Sequence, residues 1–240
     1  PLASGPFTRT AEIRKGRVAT LLDPNAHAAG AEADILGIKL GMPLQKVDEL
    51  VKLHSKYMKR VRFDGHRKGV HTPWSPGLVH VRYESPDQKE VIGVQIEPPV
   101  ADERVTLAWR TIEYDIESNT PKRDAIIDAL YKKYGGQKPG KAKYPSMELL
   151  TWVNKGGELK SGIGCSARPN SLPHPLSYVP GPLNYIDTKC GESVTAELKV
   201  REGYVTRLRL FLVNQAGLDK IVTRNKKQHM KQNEAKAPKL

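Results

Sequence analysis

The stretch ILGIKLGMPLQKVDELV, residues 35–51, decides how this chain reads. Glycines and a proline punctuate its first half. After Pro43, the residues Leu44, Val47, Leu50 and Val51 recur at the three- and four-residue steps that put side chains on one side of an α-helix. Pro43 suits a first helical turn, where a missing N–H costs nothing, so a short helix is expected down to about Ser55.

Downstream, the period changes from helical to two. A basic, loop-like connection with Pro73 and Pro76 leads to Val79, Val81 and Tyr83, which alternate with His80 and Arg82 as in a half-buried strand. Ser85-Pro86-Asp87 supplies a turn, and Ile92, Val94 and Ile96 form the returning strand. A third strand runs from about Arg104 to Tyr114. There Val105, Leu107 and Trp109 share one face before the pattern shifts to Ile112 and Tyr114, a change of phase that predicts a bulge or bend.

From Thr120 the same order begins again. Thr120 reads as an N-cap and Pro121 as the first helical residue; Ile126, Ile127, Leu130, Tyr131 and Tyr134 make the apolar stripe, and Gly135-Gly136 stops the helix. Met147 to Val153 reads as a strand, and residues 156–191 as a long loop. Val194, Ala196, Leu198 and Val200 then point one way, with Thr195, Glu197, Lys199 and Arg201 opposite. Glu202-Gly203 makes a tight turn, and Tyr204 to Val213 returns with Leu208, Leu210 and Leu212 inward. Arg207 and Arg209 oppose them, which predicts that one face of this sheet is wet.

The expected fold is therefore α+β, with two tandem modules, each a short helix packed on an antiparallel β-meander. The divisions are an extended N-terminal arm (1–33), a first helix-on-sheet module (34–117), a second with the cysteine-bracketed loop (118–217), and a short helix running into a basic tail (218–240), with Leu218, Ile221 and Val222 on that helix. Pro1 stands where Met would open a newly made chain, as expected either of a processed mature protein or of a chain numbered without its leader.

The formal charge is +13 over 240 residues, and it is concentrated. Residues 218–240 hold seven Lys/Arg against two acids, residues 52–68 hold seven against Asp64 alone, and residues 132–143 hold five lysines and no acid. Such blocks attract polyanions at long range. The candidate polyanion-binding residues are Lys52, Lys56, Lys59, Arg60, Arg62, Lys226 and Lys227. Stacking aromatics are not interleaved with them and no nucleic-acid module motif is present, so a nucleic-acid partner is not expected. No run of about 18 apolar residues occurs, so no helical membrane span is expected.

Cys165 and Cys190 bracket the Gly/Pro-rich loop and are expected to be bridged. That staple is worth about 3 kcal/mol in the chain-entropy picture and belongs to an oxidising compartment. The competing reading makes Cys165, in Gly162-Ile-Gly-Cys165, a nucleophile served by His174, as in a cysteine-dependent enzyme. His66, His71, His80 and Asp64 are the only clustered metal-type side chains, and their spacing fits no ligand motif, so neither a metal nor a cofactor is expected. Trp74, between Pro73 and Pro76, is a candidate protein contact, as are Arg207 and Arg209.

The phrase carried by Leu36, Gly37, Leu40, Gly41, Met42 and Val47 resembles the Leu-Gly-x-x-x-Gly-Met-Ser/Thr-x-x-x-Val opening of small bacterial envelope modules, in which a helix packs on an antiparallel sheet. Families of that look include the SmpA/OmlA outer-membrane lipoproteins and the β-lactamase-inhibitor-protein-like domains, the latter often in tandem. Pro43 stands where those families place a Ser or Thr cap, and no lipid-bearing cysteine opens this chain. The resemblance implies a periplasmic or secreted protein that binds other proteins. The function expected is that of a non-catalytic structural or adaptor subunit in a larger assembly with peripheral contact to the cell envelope; the alternatives are a polyanion-binding module and the cysteine enzyme.

Overall fold

A computed structural model describes residues 33–64, 79–96, 103–115, 120–135, 140–144, 147–162, 164–165 and 189–217, with 220, 223, 224, 227 and 231 beyond them. Most of the expected arm, at 1–32, lies outside the described residues. The named elements among the described residues are two helices, α1 (Leu44–His54) and α2 (Arg123–Tyr134), and nine strands: β1 (Lys59–Asp64), β2 (Val79–Glu84), β3 (Glu90–Ile96), β4 (Val105–Glu113), β5 (Gly140–Tyr144), β6 (Met147–Lys155), β7 (Glu158–Ser161), β8 (Glu192–Arg201) and β9 (Tyr204–Asn214). The strands form one antiparallel sheet in the order β1-β2-β3-β4-β9-β8-β6-β5, with β7 also on β6.

The opening stretch folds as a clasp before it becomes a helix. Ile35 and Ile38 exchange backbone hydrogen bonds at 3.0 and 2.9 Å across Leu36-Gly37. Both central residues have positive φ, 55° and 78°, as a two-residue hairpin turn demands. Gly41 N then donates to Val105 O at 2.8 Å and Val105 N to Met42 O at 2.9 Å, which ties the clasp to β4. Pro43 stands just outside α1 as its cap. Ile35, Ile38, Leu44, Val47 and Val51 are buried in a core shared with Ile92, Ile112, Leu130, Trp152 and Leu210, each buried aliphatic contributing about 1.5–3 kcal/mol.

The second helix starts later than its sequence implies. Arg123 is the first helical residue and Lys122 the cap, because the chain ahead of it is stitched to the β8–β9 turn: Val205 N donates to Pro121 O and Arg123 N to Gly203 O. Thr120 does not cap the helix; its hydroxyl donates to Asp115 O. Gly135 ends α2 at φ 103°. Trp152 of β6 lies against α2, its ring 5.2 Å from Tyr134 and 6.4 Å from Tyr131.

Three strands occupy stretches read as connections. β1 lies in the basic block after α1, β5 in the lysine block after α2, and β7 within the long loop. Their sequences, KRVRFD, GKAKY and ELKS, carry too few apolar residues for a period-two signal, and neighbouring strands supply what their side chains lack.

The register corrects two further expectations. Ile96 pairs with Val105 and Gln95 with Leu107, so Thr106 is the extra residue of a bulge, and its hydroxyl donates to Gln95 O at 3.1 Å. That bulge precedes the change of phase. Beyond it the ladder to β9 runs unbroken from Leu107 to Glu113. Ala108, Arg110 and Ile112 face the helices, Leu107, Trp109 and Thr111 face away, and all six are buried. The pattern shifts because this central strand is buried on both sides.

For the same reason most of the face turned from the helices is not wet, although Lys199 is exposed and Arg207 only half-buried on it. Its cross-strand rows Gly93–Trp109–Phe211–Thr195–Thr151 and Gln95–Leu107–Val213–Ser193–Val153 are buried throughout. Trp109 lies flat on Gly93, where an added Cβ would stand 2.0 Å from the indole. His80 and Arg82, expected on a polar face, are buried there too.

Candidate functional site

At the β1 end of the sheet, α1 turns its last residues outward. Val47 and Val51 fill the core, and Leu53, half a turn round the helix, points away from it. Leu53 is 84% exposed and Tyr57 63% exposed, and both are among the few large apolar side chains left open in the described residues. Lysines rim them: Lys52, Lys56 and Lys59 are exposed, and Lys56 Nζ lies 5.1 Å from the Tyr57 ring centroid. Arg60 and Arg62 belong to the same end but are committed, Arg60 to Asp48 at 3.1 Å and Arg62 to Glu103 at 2.7 Å. Asp48 also accepts from the Tyr83 hydroxyl at 2.6 Å, so α1, β1 and β2 are fastened together behind the patch. Burial, with Asp48 as acceptor, pushes the Tyr83 phenol well above its usual range.

The sequence had named Lys52, Lys56, Lys59, Arg60 and Arg62 as a polyanion site. The structure brings all five to one end, yet the feature it adds is apolar: Leu53 and Tyr57 lie off the buried stripe that the helical period marks. The signal was available, since a leucine opposite an amphipathic stripe and between lysines has no core to enter.

Deeper in the sheet, where α1 meets β3 and β4, a charged triad is sealed in. Arg110 Nε donates to Glu90 Oε1 at 2.7 Å, and His54 Nε2 donates to the same oxygen at 2.9 Å, since an ionised carboxylate only accepts. Burial raises the Glu90 carboxyl, but the Arg110 charge and the His54 hydrogen bond outweigh it and hold it at about 2. A second tie runs from α2 to the clasp: Lys133 Nζ reaches Asp34 at 3.0 Å and the Tyr134 hydroxyl donates to Asp34 O at 2.9 Å. Both clusters hold elements together.

Arg207 and Arg209, candidate protein contacts, are drawn into the sheet's own ion pairs. Arg209 meets Glu197 at 3.2 Å, and Arg207 meets Glu113 at 3.7 Å and Glu197 at 3.9 Å. Burial raises the Glu113 carboxyl despite these arginines. His80 stands edge-on to Trp109, 6.4 Å between ring centres, and burial lowers its imidazole to about 4. Trp74, His66, His71, His174 and Lys226 lie outside the described residues, and Asp64 closes β1. Among the described residues no three His, Cys, Asp or Glu gather as a metal site would require.

Cys165 and Cys190 are bonded, their Cα atoms 5.5 Å apart. The sulfur that a nucleophile would need free is therefore consumed. The bridge forms a corner: Gln215 N donates to Gly191 O at 2.8 Å, and its side-chain amide donates to Cys165 O at 2.9 Å and to Ser193 Oγ at 3.2 Å. The disulfide points to an oxidising compartment. No helix among the described residues is long and apolar enough to cross a membrane. No protein-family model matches the chain, and no curated protein and no solved structure is significantly similar to it.

Proposed function

We propose that this protein is a non-catalytic subunit or adaptor of a protein assembly in the periplasm or outside the cell, and that it meets its partner at the β1 end of the sheet. The observation that carries the reading is the pair Leu53 and Tyr57, exposed and rimmed by Lys52, Lys56 and Lys59. A large aromatic beside an aliphatic, ringed by polar groups, is the composition of an interface centre, and the lysines favour an acidic partner surface.

The order of elements supports the family resemblance on which this reading leans. α1 precedes β1–β4, α2 precedes β5, β6, β8 and β9, and the last strands of the two sets pair with each other. The sheet order thus reads alike from either end, as two tandem helix-on-sheet modules joined at β4 and β9 would produce. The disulfide supports the compartment.

Cross-linking with mass spectrometry in the native source tests the reading. Cross-links from Lys52, Lys56 or Lys59 to another protein are expected, and Leu53→Gln with Tyr57→Gln should abolish the complex. Exposed as they are, both changes should alter stability by no more than about 0.5 kcal/mol. Recovery of the chain only as a free monomer, or a complex indifferent to the two substitutions, overturns it.

A further inference from the structure

On the face of the sheet turned from the helices, near the β8–β9 turn, two neighbouring cross-strand rows carry charge: Glu113–Arg207–Lys199 and Thr111–Arg209–Glu197. Within these rows three cations meet two carboxylates. Lys199 and Arg207, of like charge, stand directly opposite each other, a placement that disfavours strand pairing unless another charge answers it. The two acids answer it incompletely. Arg209 donates to Glu197 at 3.2 Å, but Arg207 reaches Glu113 only at 3.7 Å and Glu197 only at 3.9 Å, beyond hydrogen-bond length. The Nε atoms of both arginines are buried with no hydrogen-bond partner. Burial lowers the Arg209 guanidinium in spite of Glu197, as expected of a cation whose charge is under-compensated. The cluster is nonetheless reachable, since Lys199 is exposed and the Arg207 side chain keeps 24% of its surface open.

We propose that Arg207, Arg209 and Lys199 form a binding site for a carboxylate. A carboxylate presents two oxygens that match the planar fork of a guanidinium, and Arg207 holds such a fork without a hydrogen-bonded acid. Its single charge equals the excess of one positive charge in the two rows, whereas a dianion such as phosphate would bring surplus charge against Glu113 and Glu197. Lys199 adds an open point charge beside the fork, and Arg209, tied to Glu197, backs it from the next row. Buried donors without partners and a like-charge pair are the features that a bound anion relieves. The site belongs to β8 and β9, apart from α1 and β1, and does not depend on the Leu53–Tyr57 reading.

The test follows the arginine Nε–H resonances of the intact, oxidised protein by proton–nitrogen NMR while sodium acetate replaces sodium chloride at constant ionic strength. The Arg207 and Arg209 signals should shift together and saturate. Arg207→Lys keeps the charge but removes the fork and should weaken acetate binding at least about tenfold. Lys199→Gln, at an exposed position that tolerates change, should weaken it about threefold, and Lys155→Gln, exposed on another strand, should leave it unchanged. Acetate should also raise the urea midpoint of the wild type more than that of either site variant, because it binds only the folded chain. N-acetylglycylglycine then distinguishes the sources of the carboxylate: tighter binding than acetate supports a peptide terminus, and equal or weaker binding supports a free acid. Unmoved Arg207 and Arg209 signals, equal weakening in Lys199→Gln and Lys155→Gln, or tighter binding of inorganic phosphate than of acetate overturns the proposal.

Discussion

Replacing Glu90 by Gln keeps the shape of the side chain and removes its charge from the one oxygen on which Arg110 and His54 converge. The Glu90 and Arg110 side chains are 3% and 2% exposed, so water cannot screen the change. Burial works against the carboxylate, and Arg110 and His54 override it, lowering the pKa from 4.5 to about 2. A carboxyl with a depressed folded pKa contributes stability that is fully present above the unfolded value and is lost as pH falls through the folded one. The window is therefore pH 4.5 down to about 2, and at 1.36 kcal/mol per unit the loss is about 3 kcal/mol. Urea unfolding followed by tryptophan fluorescence between about pH 7 and about pH 2 measures it. The wild type should lose about 3 kcal/mol more than Glu90→Gln across that window. At neutral pH Glu90→Gln should cost about 3–5 kcal/mol, because Arg110 is left buried without its counter-charge. Adding Arg110→Met removes the orphaned charge and should restore part of the loss. An acid limb in Glu90→Gln identical to wild type between pH 4.5 and 2, or strictly additive losses in the double variant, would refute this account of the triad.

The remaining predictions follow the same logic. His80, held at about 4 by burial against an ordinary 6.5, should produce a separate loss of about 3 kcal/mol as pH falls from 6.5 to 4, since the unfolded chain takes up the proton first; His80→Gln should flatten that limb and leave the one below it. Gly93→Ala should destabilise by about 1–3 kcal/mol or more and shift the emission of Trp109, because the added methyl meets the indole at 2.0 Å; an unchanged spectrum and midpoint would contradict the packing. Reducing Cys165–Cys190 should cost about 3 kcal/mol and speed amide exchange at Gln215 and Gly217, while the β8–β9 hairpin stays protected.

Sequence alone determined the elements whose periodicity is complete within one segment. The stripe Leu44, Val47 and Val51, the alternation from Val194 to Val200, and the Glu202-Gly203 turn each record a face that must be buried, and they recur in the structure as α1, β8 and the β8–β9 turn. The two cysteines were legible for a similar reason, since two thiols bracketing a proline-rich loop have one economical partner each. What the tertiary structure decided are properties that belong to pairs of distant segments. β1, β5 and β7 lack a pattern of their own and are strands because a neighbour offers its ladder. β4 is apolar on both faces because it lies in the middle of the sheet, whereas its local pattern predicts a bulge or bend, and the bulge lies earlier, at Thr106. Pairing across the sheet also moved Arg207 and Arg209 from an expected wet surface into ion pairs with Glu113 and Glu197, and brought His54, Glu90 and Arg110 together from three elements. Leu53 shows the division in one residue: its sequence marks it as off the core stripe, and only the packing of α1 against the sheet shows that nothing else in the described chain covers it. Periodicity encodes which side of a segment is buried, whereas burial itself depends on what the rest of the chain places beside it.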